Sequence, residues 1–372
     1  MPTLNLVIAD KDQSYLDMLV DFLYSKYGNR FYVQSFSNEK TFNEYIEKAE
    51  RIDILLISPE FCSKDLNLEK VVTPIVLSAG VISEDIKNFK IISKYQTGDK
   101  LVSSILNIFS ETSNYEVYTE DGDKRTKVIT FYSPCGGAGK STLAIGTSVR
   151  CAQNNMNIFY LNLEKFPSTT AYFDSSGNGQ NFSNILYYLK DNNKNLSLKI
   201  EGCRSIDSST GVHYFLPSEN VFDIDELTPN EVKKLVNQLK KMGCYDAVII
   251  DVSSELSSIN ISILEYSDLV YYVLPFDTVS KYKLDILMKG YEILNKRQGI
   301  HFLEKTELIL NKCVNSGLSN LVNFELNGKT AFLHIPYIKG LDASLGTQYL
   351  TDLNNPMGNS VNQIVHRLTI EK

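Results

Sequence analysis

Apolar positions along this chain switch repeatedly between two periods. Leu4-Asn5-Leu6-Val7-Ile8-Ala9 is a short, nearly continuous apolar run of strand type, whereas Tyr15, Met18, Leu19 and Phe22 recur at helical spacing between Asp12 and about Tyr27. The pattern continues with a strand at 31–35, a helix over 40–49, a strand at 52–57 and two more at 74–78 and 90–93. A helix over 97–109, carrying Leu101, Ile105, Leu106 and Phe109, closes the series. Strands alternating with helices pair in parallel, so residues 4–110 predict a doubly wound sheet of five strands.

A polar, charged stretch follows, and 111–126 is the expected linker. Beyond it the alternation resumes. Strands are expected at 128–132, 157–164, 212–217, 245–252, 268–275, 307–312 and 331–337, with helices over 143–150 and 182–190. Thr228-Pro229-Asn230-Glu231 opens another helix, with Thr as cap, Pro at the first position and Glu in the first turn. Loops are expected at 174–181 and 191–195, and 165–220 is the least patterned segment. A length of 372 residues suits two domains, 1–110 and 127–372, both α/β.

Candidate chemistry concentrates in Ser133-Pro134-Cys135-Gly136-Gly137-Ala138-Gly139-Lys140-Ser141-Thr142, between a strand and a helix. That context is what a phosphate-binding loop requires: glycines let successive amides point into one concavity, and the helix N-terminus adds partial positive charge. Lys140 is expected to reach the terminal phosphates, Ser141 to ligate Mg²⁺ and Thr142 to back the α-phosphate. Asp251, ending the apolar run Tyr245-Asp246-Ala247-Val248-Ile249-Ile250-Asp251, is the expected acid on the Mg²⁺ side. The alternative for the loop is a glycine-rich turn that merely precedes a helix. Pro134 stands where such loops begin with Gly.

The net charge of −7 argues against a general nucleic-acid binder. No apolar run approaches bilayer length, Met1-Pro2-Thr3-Leu4-Asn5 shows no charged-then-apolar leader, and the six cysteines form no CxxC pair. A cytoplasmic protein without a zinc site or disulfide framework is the expectation.

The first 110 residues resemble the receiver domain of response regulators, which is flavodoxin-like. Where that family holds Mg²⁺ with two adjacent acids, this chain has Asp10 and Lys11, with Asp12 beyond; where the phospho-accepting aspartate ends the third strand, it has Ser58. Ser78 matches the switch hydroxyl and Lys94 the lysine after the fifth strand, while 79–88 leaves room for only a short fourth helix or none. The resemblance implies a receiver that takes no phosphoryl group, with Lys11 pairing Asp10 in place of a metal. A flavodoxin-like domain of other ancestry is the alternative.

Residues 128–372 resemble the MinD/ParA P-loop ATPases through Gly136–Thr142 and the segments YDAVIID, SDLVYYVLPFD, LILNK and HIPY. The resemblance implies ATP and Mg²⁺ as ligands, adenine contacts from Asn311 and Pro336, and a water-orienting role for Glu164, whose companion position is Asn162. A surface-facing strand-end glutamate is the equal alternative for Glu164. The family's extra lysine, which crosses a dimer interface to the partner's γ-phosphate, is Cys135 here, so hydrolysis should be slow. A small residue tolerated beside phosphate, or a redox thiol, are the two readings of Cys135.

A degenerate receiver ahead of such an ATPase resembles the TadZ/CpaE family, which localises Flp/Tad type IV pilus machinery. That implies an ATP-binding homodimer formed through the ATPase domain, with weak hydrolysis at most. It further implies docking of pilus or secretion proteins on the receiver-like domain, and peripheral association with the envelope, at a cell pole for example. The alternatives are a ParA-like partitioning ATPase, disfavoured by the acidic charge, and a MinD-like positioning switch. The latter needs a basic amphipathic tail, and 359–372 carries Val361, Ile364, Val365 and Leu368 but only Arg367 and Lys372 as fixed cations. An iron–sulfur reductase and a phosphorelay regulator lack their cysteine pair and aspartate.

Overall fold

The computed structural model describes residues 3–62, 66–80, 89–113, 126–174, 180–190, 195–314, 323–341 and 346–370. The chain divides into two compact units. The first comprises Met1–Glu120, Gly177–Gln180 and Asp191–Cys203; the second comprises Asp121–Ser176, Asn181–Lys190 and Arg204–Lys372.

In the first unit the strands β1 (Leu4–Ala9), β2 (Phe31–Phe36), β3 (Ile52–Ile57), β4 (Val71–Ser78) and β5 (Lys90–Ser93) form a parallel sheet of order β2-β1-β3-β4-β5. Strand side chains alternate between faces. Leu4, Leu6 and Ile8 therefore pack with Leu16, Leu19 and Leu23 of α1 (Gln13–Tyr27) and with Leu101, Ile105 and Phe109 of α3 (Gly98–Thr112). Val7 and Ala9 pack on the other face with Phe42 and Ile46 of α2 (Glu39–Lys48). Asp12 caps α1 and Asn38 caps α2, each side chain accepting from first-turn amides. Between β3 and β4 the described residues form only a 3₁₀ turn, Pro59–Phe61. Residues 81–88, where the fourth helix was in question, lie outside the described residues, as does most of the expected linker.

Two expectations change here. Asp10 is paired not by Lys11 but by Lys94, whose ammonium lies 2.8 Å from Asp10 Oδ2 and 2.9 Å from Oδ1, with both residues buried. Lys94 also sits 4.4 Å from the Tyr15 ring centroid. Lys11 is exposed and faces Glu60 at 3.9 Å. Adjacency in sequence misleads because Lys11 leaves the strand end outward, whereas β5 delivers Lys94 to the acid.

The second change is that the stretch from 127 onward is not wholly one unit. The helix Leu196–Cys203, α6 in chain order, belongs to the first unit, and Leu198 joins the core of α1 and α3. Glu201 accepts from Arg30 Nε at 3.0 Å in a buried ion pair, and Asn195 Nδ2 donates to Ser110 O at 3.2 Å.

The second unit is built on β6 (Lys127–Tyr132), α4 (Lys140–Gln153), β7 (Ile158–Asn162), α5 (Phe182–Lys190), β8 (Ser205–Ile206), β9 (His213–Tyr214), α7 (Pro229–Lys241), β10 (Ala247–Asp251), α8 (Ser258–Tyr266), β11 (Leu269–Pro275), α9 (Thr278–Gln298), β12 (Thr306–Cys313) and β15 (Leu333–Pro336). The small hairpin β13 (Glu325–Leu326) and β14 (Lys329–Thr330) stands apart. Sheet order is β15-β12-β11-β6-β10-β7-β9-β8, parallel except for β8. The Thr228 cap forms the reciprocal box with Glu231. Helices α10 (Gly346–Thr351) and α11 (Pro356–Ile370) complete the unit; Val361, Ile364, Val365 and Leu368 of α11 are buried, so the tail is a core helix. With parallel strands, the loops after β6, β7, β10, β11 and β12 all leave from one edge, and the order reverses around β6, where open α/β sheets form their crevice.

Candidate nucleotide site

The loop after β6 curls because Gly137 and Gly139 take φ of 66° and 93°. At Gly139 the constraint is double, since a Cβ there would lie 2.4 Å from Asn311 Nδ2. Helix α4 then starts at Lys140, with its buried ammonium 2.6 Å from Glu164 Oε1 and 3.4 Å from Asp251 Oδ1. Ser141 Oγ lies 3.4 Å from Glu164 Oε2. The Tyr160 hydroxyl donates to Asp251 Oδ2 at 3.1 Å, Asn162 Nδ2 donates to the Tyr160 oxygen at 3.1 Å, and Asn162 Oδ1 accepts from the Glu164 amide at 2.8 Å. Asp251, Tyr160, Asn162, Glu164, Lys140 and Ser141 are thus one network.

Burial pushes the fully enclosed Asp251 up to about 6, against the pull of Lys140 in the other direction. For Lys140 burial acts to lower the pKa, but Asp251 and then Glu164 outweigh it and hold the ammonium above its usual range. Burial, reinforced by Asp251, drives Tyr160 far up, which keeps it a phenol and a donor.

Cys135 is buried, with its sulfur 3.7 Å from Ser280 Oγ at the start of α9, its amide donating to Ser133 Oγ at 3.0 Å and its carbonyl accepting from Ser254 Oγ at 3.4 Å. None of the six cysteines is in a disulfide.

Asn311 Nδ2 donates to Ala138 O at 2.8 Å, so this side chain braces the loop. Lys312 follows with φ of 57°, and its ammonium donates to Gly137 O at 2.8 Å. Sequence reasoning passed over both Lys312 and Tyr160. The spacing Tyr160, Asn162, Glu164 was the available signal for Tyr160: three polar-tipped residues two apart share one face of an otherwise apolar strand and its continuation.

A cavity of about 480 Å³ opens over the loop, lined by residues 135–142 together with Glu164, Asn311, Lys312, Pro336 and Tyr337. Every residue expected at the nucleotide site lines this cavity except Asp251, which lies fully buried behind Lys140. The donor set fits a magnesium–triphosphate: an amide-lined curl with one ammonium for phosphate oxygens, and a hydroxyl with a carboxylate for a hard cation.

A family model described as "TadZ-like, receiver domain" matches residues 3–110, and one described as "AAA domain" matches residues 126–302. No curated protein sequence matches the chain. Among solved structures, the ParA family ATPase from Chlorobium tepidum TLS is similar, with 16% identity over 65% of this chain and 99% of that one and a TM-score of 0.52. A putative plasmid partition protein from Borrelia burgdorferi B31 bound to AMPPNP shares 18% identity over 67% and 100% of the two chains, with a TM-score of 0.51. The MinC:MinD cell division protein complex of Aquifex aeolicus gives 16% identity, 66% and 97% coverage and a TM-score of 0.51. At such identities the likeness is one of fold. The chain therefore carries a TadZ-like receiver domain followed by an AAA domain with the fold of the ParA and MinD ATPases.

Proposed function

We propose that this chain is an ATP-binding, dimerising localisation and assembly factor for a Flp/Tad type IV pilus, hydrolysing ATP weakly or not at all. The observation that carries the reading is the convergence of Lys140, Ser141, Asp251 and Glu164 on a glycine loop in a chain that also bears a TadZ-like receiver domain. The Borrelia relative was crystallised with AMPPNP, which agrees with a triphosphate ligand.

In this reading ATP with Mg²⁺ supplies the transferable phosphoryl group. The amides of 135–142 would cradle phosphate oxygens, Lys140 would neutralise the terminal ones, and the Ser141 hydroxyl would hold the cation, with Asp251 supplying negative charge from behind Lys140. Asn311 and Pro336 flank the base. Glu164 would be free to orient an attacking water once phosphate replaced it as the partner of Lys140. Cys135 offers no ammonium to a facing subunit, so the charge that develops in transfer goes uncompensated there and turnover is slow.

The receiver-like domain serves as a docking platform. Ser58 is no carboxylate nucleophile, and Lys94 occupies Asp10, so neither the acceptor nor the metal pair of a phosphorylatable receiver is present in it. The protein then acts at the cytoplasmic side, at a cell pole, held by envelope machinery rather than by a span; no helix among the described residues is long and apolar enough to cross a membrane.

Calorimetry with Mg²⁺ and ATP tests the site: the wild type should bind, and Lys140→Ala should lose most of the affinity. Light scattering should show ATP-dependent dimers. A wild-type protein that binds no nucleotide, or a tagged chain whose polar focus is unchanged when the pilus assembly genes are deleted, would sink the reading.

A further inference from the structure

Two residues of the strand beside Asp251 set the direction in which that acid points. Strand β7 runs parallel to β10, with Tyr160 opposite Ile249 and Asn162 opposite Asp251. Residues two apart on a strand share a face, so Tyr160 stands on the diagonal from Asp251, a span that an aromatic side chain crosses. Its hydroxyl lies 3.1 Å from Asp251 Oδ2, closer than the 3.4 Å between Lys140 Nζ and Oδ1. Without the phenol, Oδ2 of a fully buried carboxylate would lose a donor, a loss that an enclosed charge feels in full. The Tyr160 ring is itself held: it is completely enclosed, edge-on to Phe173 with centroids 5.5 Å apart, and Phe173 packs on Tyr214 at 5.1 Å.

The direction of these hydrogen bonds is fixed from one end. The Glu164 N–H can only donate, so the Asn162 atom it meets at 2.8 Å is the carbonyl oxygen Oδ1. The other end of the amide then donates, and Nδ2 does so to the Tyr160 oxygen at 3.1 Å. The single phenolic proton is thereby sent to Asp251. An aspartate at 162 could not do this. It would accept from the Glu164 amide and then compete with Asp251 for the same phenolic proton, and one carboxylate would go without. The phenol at 160 thus calls for an amide at 162. Neither side chain is among those that line the cavity over the loop.

We propose that Tyr160 and Asn162 are positioning residues of the nucleotide site, a one-way hydrogen-bond relay that turns Asp251 Oδ1 toward Lys140 and the cation position at Ser141. The inference rests on the nucleotide reading above and adds to it a role for two residues that need not touch the ligand.

Calorimetry of ATP binding to the full chain, once with Mg²⁺ and once with EDTA, tests it. The wild type should bind more tightly with Mg²⁺. Tyr160→Phe keeps the ring and removes the proton; Asn162→Asp keeps the size and turns the donor into an acceptor. Each should cut the Mg²⁺ enhancement by about tenfold, the usual effect of losing a residue that orients the surroundings of a metal. General damage to the fold would instead weaken binding equally in both buffers. The double variant should lose no more of the enhancement than the larger single loss, because both changes break the same relay. The inference alone is overturned if either single variant keeps the wild-type enhancement, if the two losses multiply in the double variant, or if the wild type binds equally in both buffers. A wild type that binds no ATP in either buffer overturns the nucleotide reading and this inference with it.

Discussion

The Lys140 ammonium and the Glu164 carboxylate lie 2.6 Å apart, so the cation that suits a phosphate already has an anionic partner. On the proposed reading, nucleotide would have to displace Glu164 before it gained Lys140. Glu164→Gln removes that competition and should tighten ATP binding by about tenfold, the worth of a modest charge-assisted contact. Calorimetry reads the affinity, and a phosphate-release assay should show residual turnover falling. Weaker binding by the variant would contradict the displacement.

Asp251 gives a stability prediction with a definite sign. Its folded pKa, about 6, lies above the ordinary carboxylate value, so its ionisation costs the folded state stability as pH rises from about 4 to about 6. Below that window both folded and unfolded chains hold the proton and the cost vanishes. Asp251→Asn imitates the protonated form. Its melting temperature should exceed the wild-type value at pH 7.5 and match it near pH 4, while the Mg²⁺ dependence of nucleotide binding is lost.

Lys312 braces the loop from outside while holding a left-handed backbone that a non-glycine residue adopts at a cost of roughly 1 kcal/mol or more. Lys312→Met should weaken ATP binding several-fold and leave the melting temperature within a degree or two; Lys312→Arg should restore most of the affinity. Equal affinity in all three proteins would show that the lysine is indifferent to the ligand.

In the receiver-like unit, Lys94 is the buried member of a pair and Lys11 is an exposed bystander. Lys94→Met leaves Asp10 enclosed without its cation and should destabilise the unit by about 3–5 kcal/mol, whereas Lys11→Ala should stay within about 0.5 kcal/mol. Urea melts followed by tyrosine fluorescence compare the two. With Asp10 so engaged, even Ser58→Asp should take no stable label from acetyl phosphate at neutral pH.

What could be read ahead from the sequence follows from what each element buries. Strands such as β3 and β11 bury nearly every position, and the apolar runs announce them. The loop at 133–142 and the Thr228 cap are local chemistry, written in adjacent residues. Helix α6 went unforeseen because it is enclosed all round, Lys199 and Glu201 included, so no apolar stripe separates from a polar one. The Tyr160–Asp251 bond joins residues 91 apart, and the partner of Asp10 comes from 84 residues away rather than from the next position. Strand pairing sets such contacts, and no local pattern records them.

The docking of α6 also bears on biosynthesis. Arg30 is enclosed opposite Glu201, so a nascent chain that has released residues 1–113 still lacks one wall of its first unit. At about 5–20 residues per second the ribosome needs several seconds more to deliver Cys203, and by then the whole phosphate loop has emerged. The N-terminal unit thus reaches maturity only after the start of its C-terminal neighbour has been made, and a gene truncated at the apparent domain boundary would encode an unfinished product.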